Sequence, residues 1–391
     1  MTDSRRTLWP QYSEEEVLAA AQVLRSGKVN YWTGSEGKSF EREFAAMCDT
    51  EYAVALANGT VALELALRAL EIGPGDEVIV TPRTFIASVS AIIMVGATPV
   101  FADVDMDTQN ITPASVAQVL TKRTRAVIAV HLAGWPCDMD GLMSLADRHK
   151  LCVIEDCAQA HGALYRGRPV GGLGHAAAWS FCQDKIMTTG GEGGMLTTND
   201  ATIWKRVWSF KDHGKDRDAV YKREHAEGFR WLHESFGTNA RMTEMQAAIG
   251  RLQLRKLPEW NESRRRNARV FEECFREIPA FRVVRMADTI RHACYKYYVF
   301  VHRDRLREGW SRDRIIRDVN KAGVPCFSGS CSEVYLEKAF EGTGFRPQDR
   351  LPCARVLGET SLMFQVHPTL SQDDISAACD TIRAVMAQAL A

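Results

Sequence analysis

The sequence predicts an α/β protein with a mostly parallel central sheet, followed by a smaller C-terminal α+β domain. Between about residues 52 and 156, short apolar runs rich in β-branched residues alternate with segments of helical spacing. This alternation is typical of a sheet that is covered by helices on both faces. The chain has 391 residues, which is long enough for such a domain and a second, smaller one.

The predicted elements follow one another in a regular order. A first helix begins after Ser13, which forms a capping-box pattern with Glu16, and ends near Gly27. The predicted strands are YAVALA, DEVIVT, ATPVFAD, RAVIAVHL and LCVIED, and the helices between them include TVALELALRALEIG, FIASVSAIIMVG and DMDGLMSLADRHK. Ligands of such sheets bind at the carboxyl ends of strands. The segments ANGT, TPRTF, HLAGW and EDCAQAH each follow a predicted strand and are therefore candidate site segments.

A long helical stretch runs from about Met242 to Phe275, and Pro258 interrupts its pattern. We take this interruption as the approximate boundary between a large domain, residues 1–258, and a small C-terminal domain, residues 259–391. Within the small domain, CYKYYVFVH predicts a strand and SRDRIIRDVNKAG predicts a helix.

The composition excludes several classes of function. The 49 basic and 49 acidic side chains cancel, so no overall field attracts nucleic acid or an anionic membrane. The first residues contain no apolar stretch typical of a signal peptide, and no apolar run reaches the length of a membrane span, so we expect a cytoplasmic protein. The 11 cysteines are scattered, and the histidines lack metal-ligand spacing, so we expect reduced thiols and no metal site.

Two residues provide the pattern of a cofactor site. Asp156 ends a predicted strand and is either a helix cap or a counter-ion for the ring nitrogen of pyridoxal phosphate (PLP), which it would keep protonated. Lys185 follows the strand-like AAAWSF and precedes small residues that allow a ligand to approach. Alone it would be an exposed loop lysine, but a lysine amine also forms a Schiff base with an aldehyde and carries protons.

The same cofactor needs groups that bind its phosphate and its ring. Gly59 and Thr60 follow a strand and open a helix, so their N–H groups and the Thr60 hydroxyl are candidate phosphate ligands, and Ser180 offers a second hydroxyl. Phe85 is a core residue or a ring that stacks on the pyridine. Gln159 is a surface amide or a partner of the cofactor's phenolic oxygen.

Together these segments resemble the DegT/DnrJ/EryC1/StrS family of sugar aminotransferases, which use PLP and have the aspartate aminotransferase type I fold. The resemblance runs through GKVNYWTGSEGKSFEREFA, ANGTVALELALRAL, GDEVIVTPRTFIASVSAIIMVGATPVFADVD, HLAGWPCDMD, VIEDCAQAHGA, SFCQDKIMTTGGEGGMLTTND and GTNARMTEMQAAIGRLQLRKL. It covers nearly the whole chain, and the combination is specific although no single segment is.

The resemblance implies a role for each candidate residue. Lys185 corresponds to the Schiff-base lysine, Asp156 to the partner of the pyridine nitrogen, and Gln159 to the neighbour of the phenolic oxygen. Phe85 corresponds to the stacking ring, and Gly59, Thr60 and Ser180 to phosphate ligands. Asn239, in GTNARM, corresponds to an asparagine that reaches the phosphate of the neighbouring subunit, which implies a homodimer with shared active sites.

The expected reaction is the transfer of an amino group from L-glutamate to a nucleotide-linked keto-deoxyhexose in amino-sugar biosynthesis. A cyclitol ketone as acceptor and a non-catalytic PLP-binding regulator remain alternatives. Arg230, Arg241 and Lys215 are candidate ligands of the nucleotide's diphosphate.

Overall fold

The computed structural model describes residues 9–285 and 287–390. The helices are α1 (Glu14–Ser26), α2 (Glu36–Met47), α3 (Gly59–Ala69), α4 (Ala87–Met94), α5 (Pro113–Gln118), α6 (Met139–His149), α7 (Ala201–Phe210), α8 (Arg217–Tyr221), α9 (Glu244–Arg276), α10 (Arg312–Lys321), α11 (Pro352–Thr360) and α12 (Gln372–Ala389). Short 3₁₀ turns occupy Leu132–Gly134, Arg303–Arg305, Val334–Leu336 and Lys338–Phe340. The predicted first helix is confirmed, since α1 is followed by Gly27 in a left-handed conformation.

The strands form one large sheet and two small ones. They are β1 (Tyr52–Leu56), β2 (Glu77–Val80), β3 (Thr98–Phe101), β4 (Thr124–Val130), β5 (Cys152–Asp156), β6 (Leu164–Tyr165), β7 (Arg168–Pro169), β8 (Ala176–Ser180), β9 (Gly194–Thr198), β10 (Phe281–Arg282), β11 (Ile290–Arg291), β12 (Tyr297–Val301), β13 (Cys326–Phe327) and β14 (Ser361–Phe364). All five strands predicted between residues 52 and 156 are present as β1 to β5.

The large sheet has the order β1-β9-β8-β5-β4-β2-β3. The five strands from β8 to β3 are parallel to their neighbours. Strand β9 is antiparallel to both β8 and β1, so β1 points the same way as β8. The prediction of a mostly parallel sheet is confirmed, and the carboxyl ends of β1, β2, β5 and β8 lie along one edge.

Both faces of this sheet are buried. Along β2, Val78 and Val80 pack into a cluster with α3 and α4, whereas Ile79 between them packs into a cluster on the opposite face with α2 and α6. Alternate residues of a strand point to opposite faces, so a strand that is apolar at every position requires helices on both sides. This explains why the predicted strands are continuous apolar runs.

The C-terminal part contains a four-stranded antiparallel sheet in the order β10-β12-β14-β13. The end of α9 packs with α10 and α12 on this sheet in a third apolar cluster. The strand predicted in CYKYYVFVH is confirmed as β12, and the helix predicted in SRDRIIRDVNKAG is confirmed as α10. The division into residues 1–258 and 259–391 stays a prediction.

Helix α9 corrects one expectation. It runs through Pro258 without a break over 33 residues, although proline lacks an N–H and crowds the preceding turn. Its first half packs against α1 and α2, and its second half packs against α12 and β12. Tertiary packing at both ends therefore outweighs the local cost of the proline.

Among the described residues, no helix combines the length and the apolar character that a bilayer crossing requires.

Glu244, the first residue of α9, holds the start of α2. Its buried carboxylate accepts hydrogen bonds from the Glu36 N–H, at 2.6 Å, and the Gly37 N–H, at 3.0 Å. Glu244→Ala is expected to lower the free energy of unfolding by about 1–3 kcal/mol, because one buried and one partly buried N–H group lose their acceptor. Urea unfolding followed by tryptophan fluorescence measures this change. The exposed Glu308, replaced by alanine, is the control, and equal stability of the two variants would contradict this role.

Candidate active site

A cavity of about 970 Å³ opens at the carboxyl ends of the large sheet's strands. The structure brings seven of the eight predicted site residues to its wall, namely Gly59, Thr60, Phe85, Asp156, Gln159, Ser180 and Lys185. They come from the ends of β1, β2, β5 and β8, as expected for an open α/β sheet.

Asp156, the last residue of β5, is buried in this wall with 6% of its surface exposed. One carboxylate oxygen accepts a 2.8 Å hydrogen bond from the Ser88 hydroxyl, and the other accepts the Ala158 N–H at 3.2 Å. Burial raises the pKa of Asp156 above its usual value, and the Ser88 and Ala158 bonds oppose this rise. The site therefore contains a desolvated carboxylate. A cationic ring nitrogen beside it would stabilise its ionised form.

The neighbouring Glu155 points to the opposite face of the sheet and fixes the end of β5 from behind. Its carboxylate accepts the N–H groups of Gly171, Leu173 and Gly174 at 2.8–2.9 Å. His131 Nδ1 accepts the Cys137 N–H, so its Nε2 is protonated and donates to Glu155 at 3.0 Å. Although burial alone would raise it, these bonds hold the pKa of Glu155 below its usual value.

A hydrogen bond to its side-chain oxygen fixes the orientation of Gln159. Its Oε1 accepts the N–H of Ala133 at 2.8 Å, in a turn where Ala133 has a φ of 56°. Because the oxygen is engaged on the protein side, the amide nitrogen is the end left to donate to a ligand in the cavity.

The turn after β1 forms an anion-binding helix start. Asn58 caps α3 by accepting the Val61 N–H at 2.9 Å, so Gly59 and Thr60 are the first two helical residues. The first N–H groups of a helix have no intrahelical acceptor and attract anions. Gly194 on β9 lies so close that an added Cβ would be 2.4 Å from the Asn58 backbone, and at Gly59 it would be 2.8 Å from the Ser180 Cβ. These two glycines permit the close packing of this turn.

Phe85 lies in the loop between β2 and α4 and keeps 69% of its surface exposed although it lines the cavity. Although phenylalanine is usually buried, this exposure shows that the interpretation of Phe85 as a core residue is wrong. Its ring is an apolar face available to a planar ligand.

Lys185 is held on three sides. Its Nζ lies 3.7 Å from the Asp184 carboxylate and 5.3 Å from the centroid of the Tyr295 ring. Its backbone carbonyl accepts a 2.8 Å hydrogen bond from the Trp9 indole. Its side chain is 16% exposed, so it is not the exposed loop lysine of the alternative interpretation.

Asn239 is the predicted site residue that the structure does not bring to this cavity. It is exposed and pairs through its backbone with Asp212. Lys215 and Arg241 both form ion pairs with Asp212, and neither they nor Arg230 lie among the cavity residues.

Sequence reasoning missed several residues that support the site. Ser88 lies one helical turn after Thr84, and the two hydroxyls are 2.9 Å apart, so the i, i+4 spacing after a strand was an available signal. Tyr295, whose hydroxyl donates to Asp184, comes from the distant segment before β12. No local pattern could have placed it beside Lys185.

The chain is similar to known proteins along nearly its whole length. The model of the DegT/DnrJ/EryC1/StrS aminotransferase family matches residues 10–383. The chain is 35% identical over 378 residues to a dTDP-3-amino-3,4,6-trideoxy-α-D-glucose transaminase from Streptomyces venezuelae, covering 97% of this chain and 94% of that protein.

Two solved structures extend the comparison. An aminotransferase from Psychrobacter cryohalolentis is 59% identical with a TM-score of 0.96, covering 97% of this chain and 98% of that one. A Streptococcus pneumoniae protein assigned as a sugar aminotransferase and solved in a PLP form is 26% identical with a TM-score of 0.86, covering 97% of both chains. The chain is therefore an aminotransferase that belongs to the DegT/DnrJ/EryC1/StrS family.

Proposed function

We propose that this chain is a PLP-dependent sugar aminotransferase that transfers the amino group of L-glutamate to a nucleotide-linked keto-sugar. The observation that carries the proposal is the presence of Lys185 and the buried Asp156 in one cavity, with the exposed ring of Phe85. The similarity to the Streptomyces venezuelae dTDP-sugar transaminase supports the acceptor class.

The residues of the cavity fit PLP. A planar, cationic ring has a carboxylate at Asp156, an amide donor at Gln159 and an apolar face at Phe85. A phosphate has the free N–H groups of Gly59 and Thr60 at the start of α3. The cavity therefore offers a buried carboxylate, Asp156, to the protonated ring nitrogen of PLP, and the start of α3 to its phosphate.

In the mechanism, bound PLP supplies an electron sink for the carbon that loses a proton. Asp156 keeps the ring nitrogen protonated, and Ser88 orients that carboxylate. Lys185 would hold PLP through its Nζ, and the same amine, when free, would carry the proton that the donor's carbon loses. The side chain of Lys185 is 16% exposed, so its amine is partly desolvated, which favours its neutral, proton-accepting form.

We further propose that the protein is a homodimer in which Asn239 reaches the phosphate of the neighbouring subunit's cofactor. The support is that Asn239 is exposed and lies outside the cavity of its own chain. The neighbouring segment carries the exposed rings of Phe229, Trp231 and Phe236, which is typical of a surface that contacts another protein.

Lys185→Ala is expected to abolish the visible absorbance band of the lysine-bound cofactor and to reduce transamination by about a thousandfold or more, because both attachment and proton transfer are lost. Absorbance spectra, glutamate-dependent release of 2-oxoglutarate and borohydride labelling of the Lys185 peptide measure this. Lys222→Ala, at an exposed lysine, serves as the control. Undiminished turnover of Lys185→Ala would refute the assignment.

Ser88→Ala removes a bond that lowers the pKa of Asp156, so that pKa should rise further. A carboxylate with a higher pKa is protonated earlier as the pH falls. We therefore expect the acidic limb of PLP affinity and of kcat/KM to move to higher pH in this variant. Ser90→Ala, on the same helix, is the control. An unchanged acidic limb would show that Ser88 does not act through Asp156.

Mixing Asn239→Ala with Lys185→Ala tests the shared site. Each mixed dimer contains one site with both defects and one intact site if Asn239 acts across the interface. We expect the Asn239→Ala protein alone to bind PLP about tenfold more weakly, since it lacks one phosphate contact, and activity at low PLP to rise on mixing. No rise in verified mixed dimers would place Asn239 in its own chain's site.

A further inference from the structure

A second cavity of about 840 Å³ adjoins the site. It lies between α9, the end of α10, the segment after β14 and α12. Both cavities are lined by Asp184, Tyr295, Lys296, Phe327 and Gln365. Arg264 of α9 and Lys296 contribute positive charge to the second cavity. The mechanism proposed above uses neither of them.

Arg264 is buried and incompletely paired. It is 2% exposed, and its only hydrogen bond among the described residues is from Nη1 to the Tyr295 carbonyl at 3.3 Å. Its Nε and Nη2 lack a partner within the described part of the chain. The Trp9 ring lies 5.0 Å from its Cζ, a cation–π contact that stabilises the charge without neutralising it. Burial lowers the pKa of Arg264 to about 10, which leaves it charged at neutral pH.

Lys296 contacts the same tyrosine ring as Lys185. Its Nζ is 4.7 Å from the centroid of the Tyr295 ring, and the Nζ of Lys185 is 5.3 Å from the same centroid. Within residues 9–285 and 287–390, no carboxylate forms an ion pair with Lys296. Burial lowers the pKa of Lys296 to about 8, Asp184 opposes this change, and the charges of Arg264 and Lys185 add to it.

Asp184 is the nearby anion, and it is already engaged. It accepts a hydrogen bond from the Tyr295 hydroxyl and pairs with Lys185. Although burial alone would raise it, Lys185 and Tyr295 hold the pKa of Asp184 below its usual value. Asp374 also lines the second cavity, but among the described residues neither carboxylate forms an ion pair with Arg264 or Lys296. Desolvated charges without partners are costly, and an anionic ligand would remove this cost through charge-assisted hydrogen bonds.

We propose that Lys296, with Arg264 behind it, is the subsite for the side-chain carboxylate of a dicarboxylic amino donor. This inference rests on the proposed transamination. A donor binds through its amine near Lys185. A carboxylate a few bonds away from that amine then comes within reach of Lys296, which contacts the same Tyr295 ring as Lys185. The diphosphate of a nucleotide sugar is separated from the reacting carbon by the sugar ring and needs ligands farther away.

The test measures binding separately from the reaction. The probe is glutarate, a dicarboxylate that has no amino group to transfer. It is titrated by calorimetry into the PLP-loaded full-length protein. We expect Lys296→Met to raise the Kd of glutarate about tenfold or more, as the loss of a charged hydrogen bond implies. Lys296→Arg should restore binding, and Lys321→Met, which removes the same charge near the cavity but outside its lining, should leave the Kd within about twofold.

A kinetic arm identifies the source of the anion. In Lys296→Met the preference for L-glutamate over L-glutamine, as the ratio of kcat/KM values, should fall about tenfold, mainly through the KM of glutamate. Arg264→Gln should act in the same direction. Unchanged glutarate affinity and donor preference would overturn the proposal, as would weakened binding of dTDP in place of glutarate.

The two proposals fail in different ways. A protein that transfers no amino group from any donor but binds glutarate through Lys296 refutes the function and not the subsite. Normal transamination without a Lys296-dependent glutamate preference refutes the subsite and not the function.

Discussion

Two consecutive buried carboxylates at the end of β5 determine much of the surrounding structure. Glu155 and Asp156 are 0% and 6% exposed and point to opposite faces of the sheet. A buried carboxylate is stable only where donors surround it. Glu155 therefore requires the 171–174 turn and the His131 loop, and Asp156 requires α4 through Ser88. The same bonds that stabilise the strand end also position the carboxylate of the candidate site.

The sequence predicted the parts of the fold that depend on local pattern. The five strands from β1 to β5 are apolar at nearly every position because both faces of the sheet are covered, and this feature is visible in the sequence. Strand-end residues such as Asp156 and Thr60 were predictable because parallel strands bring their carboxyl ends together. The predicted break at Pro258 was wrong because the packing that keeps α9 continuous comes from residues distant in the chain.

The missed residues share a physical reason. Tyr295, Lys296 and Arg264 come from the C-terminal part of α9 and the segment before β12, and only the tertiary structure brings them beside Lys185. The net charge of zero also conceals a local excess of positive charge in this region. Composition sums over the whole surface, whereas a ligand responds to the few charges within about 10 Å of it.

Helix α9 has a mechanical consequence. Its 33 residues span about 50 Å and join the large sheet's side of the protein to the small antiparallel sheet. An intact α-helix is stiff, so a displacement of the small sheet also moves the parts of α9 that pack against it. Pro258 has no backbone N–H, so one helical hydrogen bond is missing there, and the helix bends most easily at this point. Arg264 follows Pro258 in the helix, whereas Asp184 precedes it in the chain and lies after β8 of the large sheet, so bending at this point would change the distance between these two residues of the second cavity.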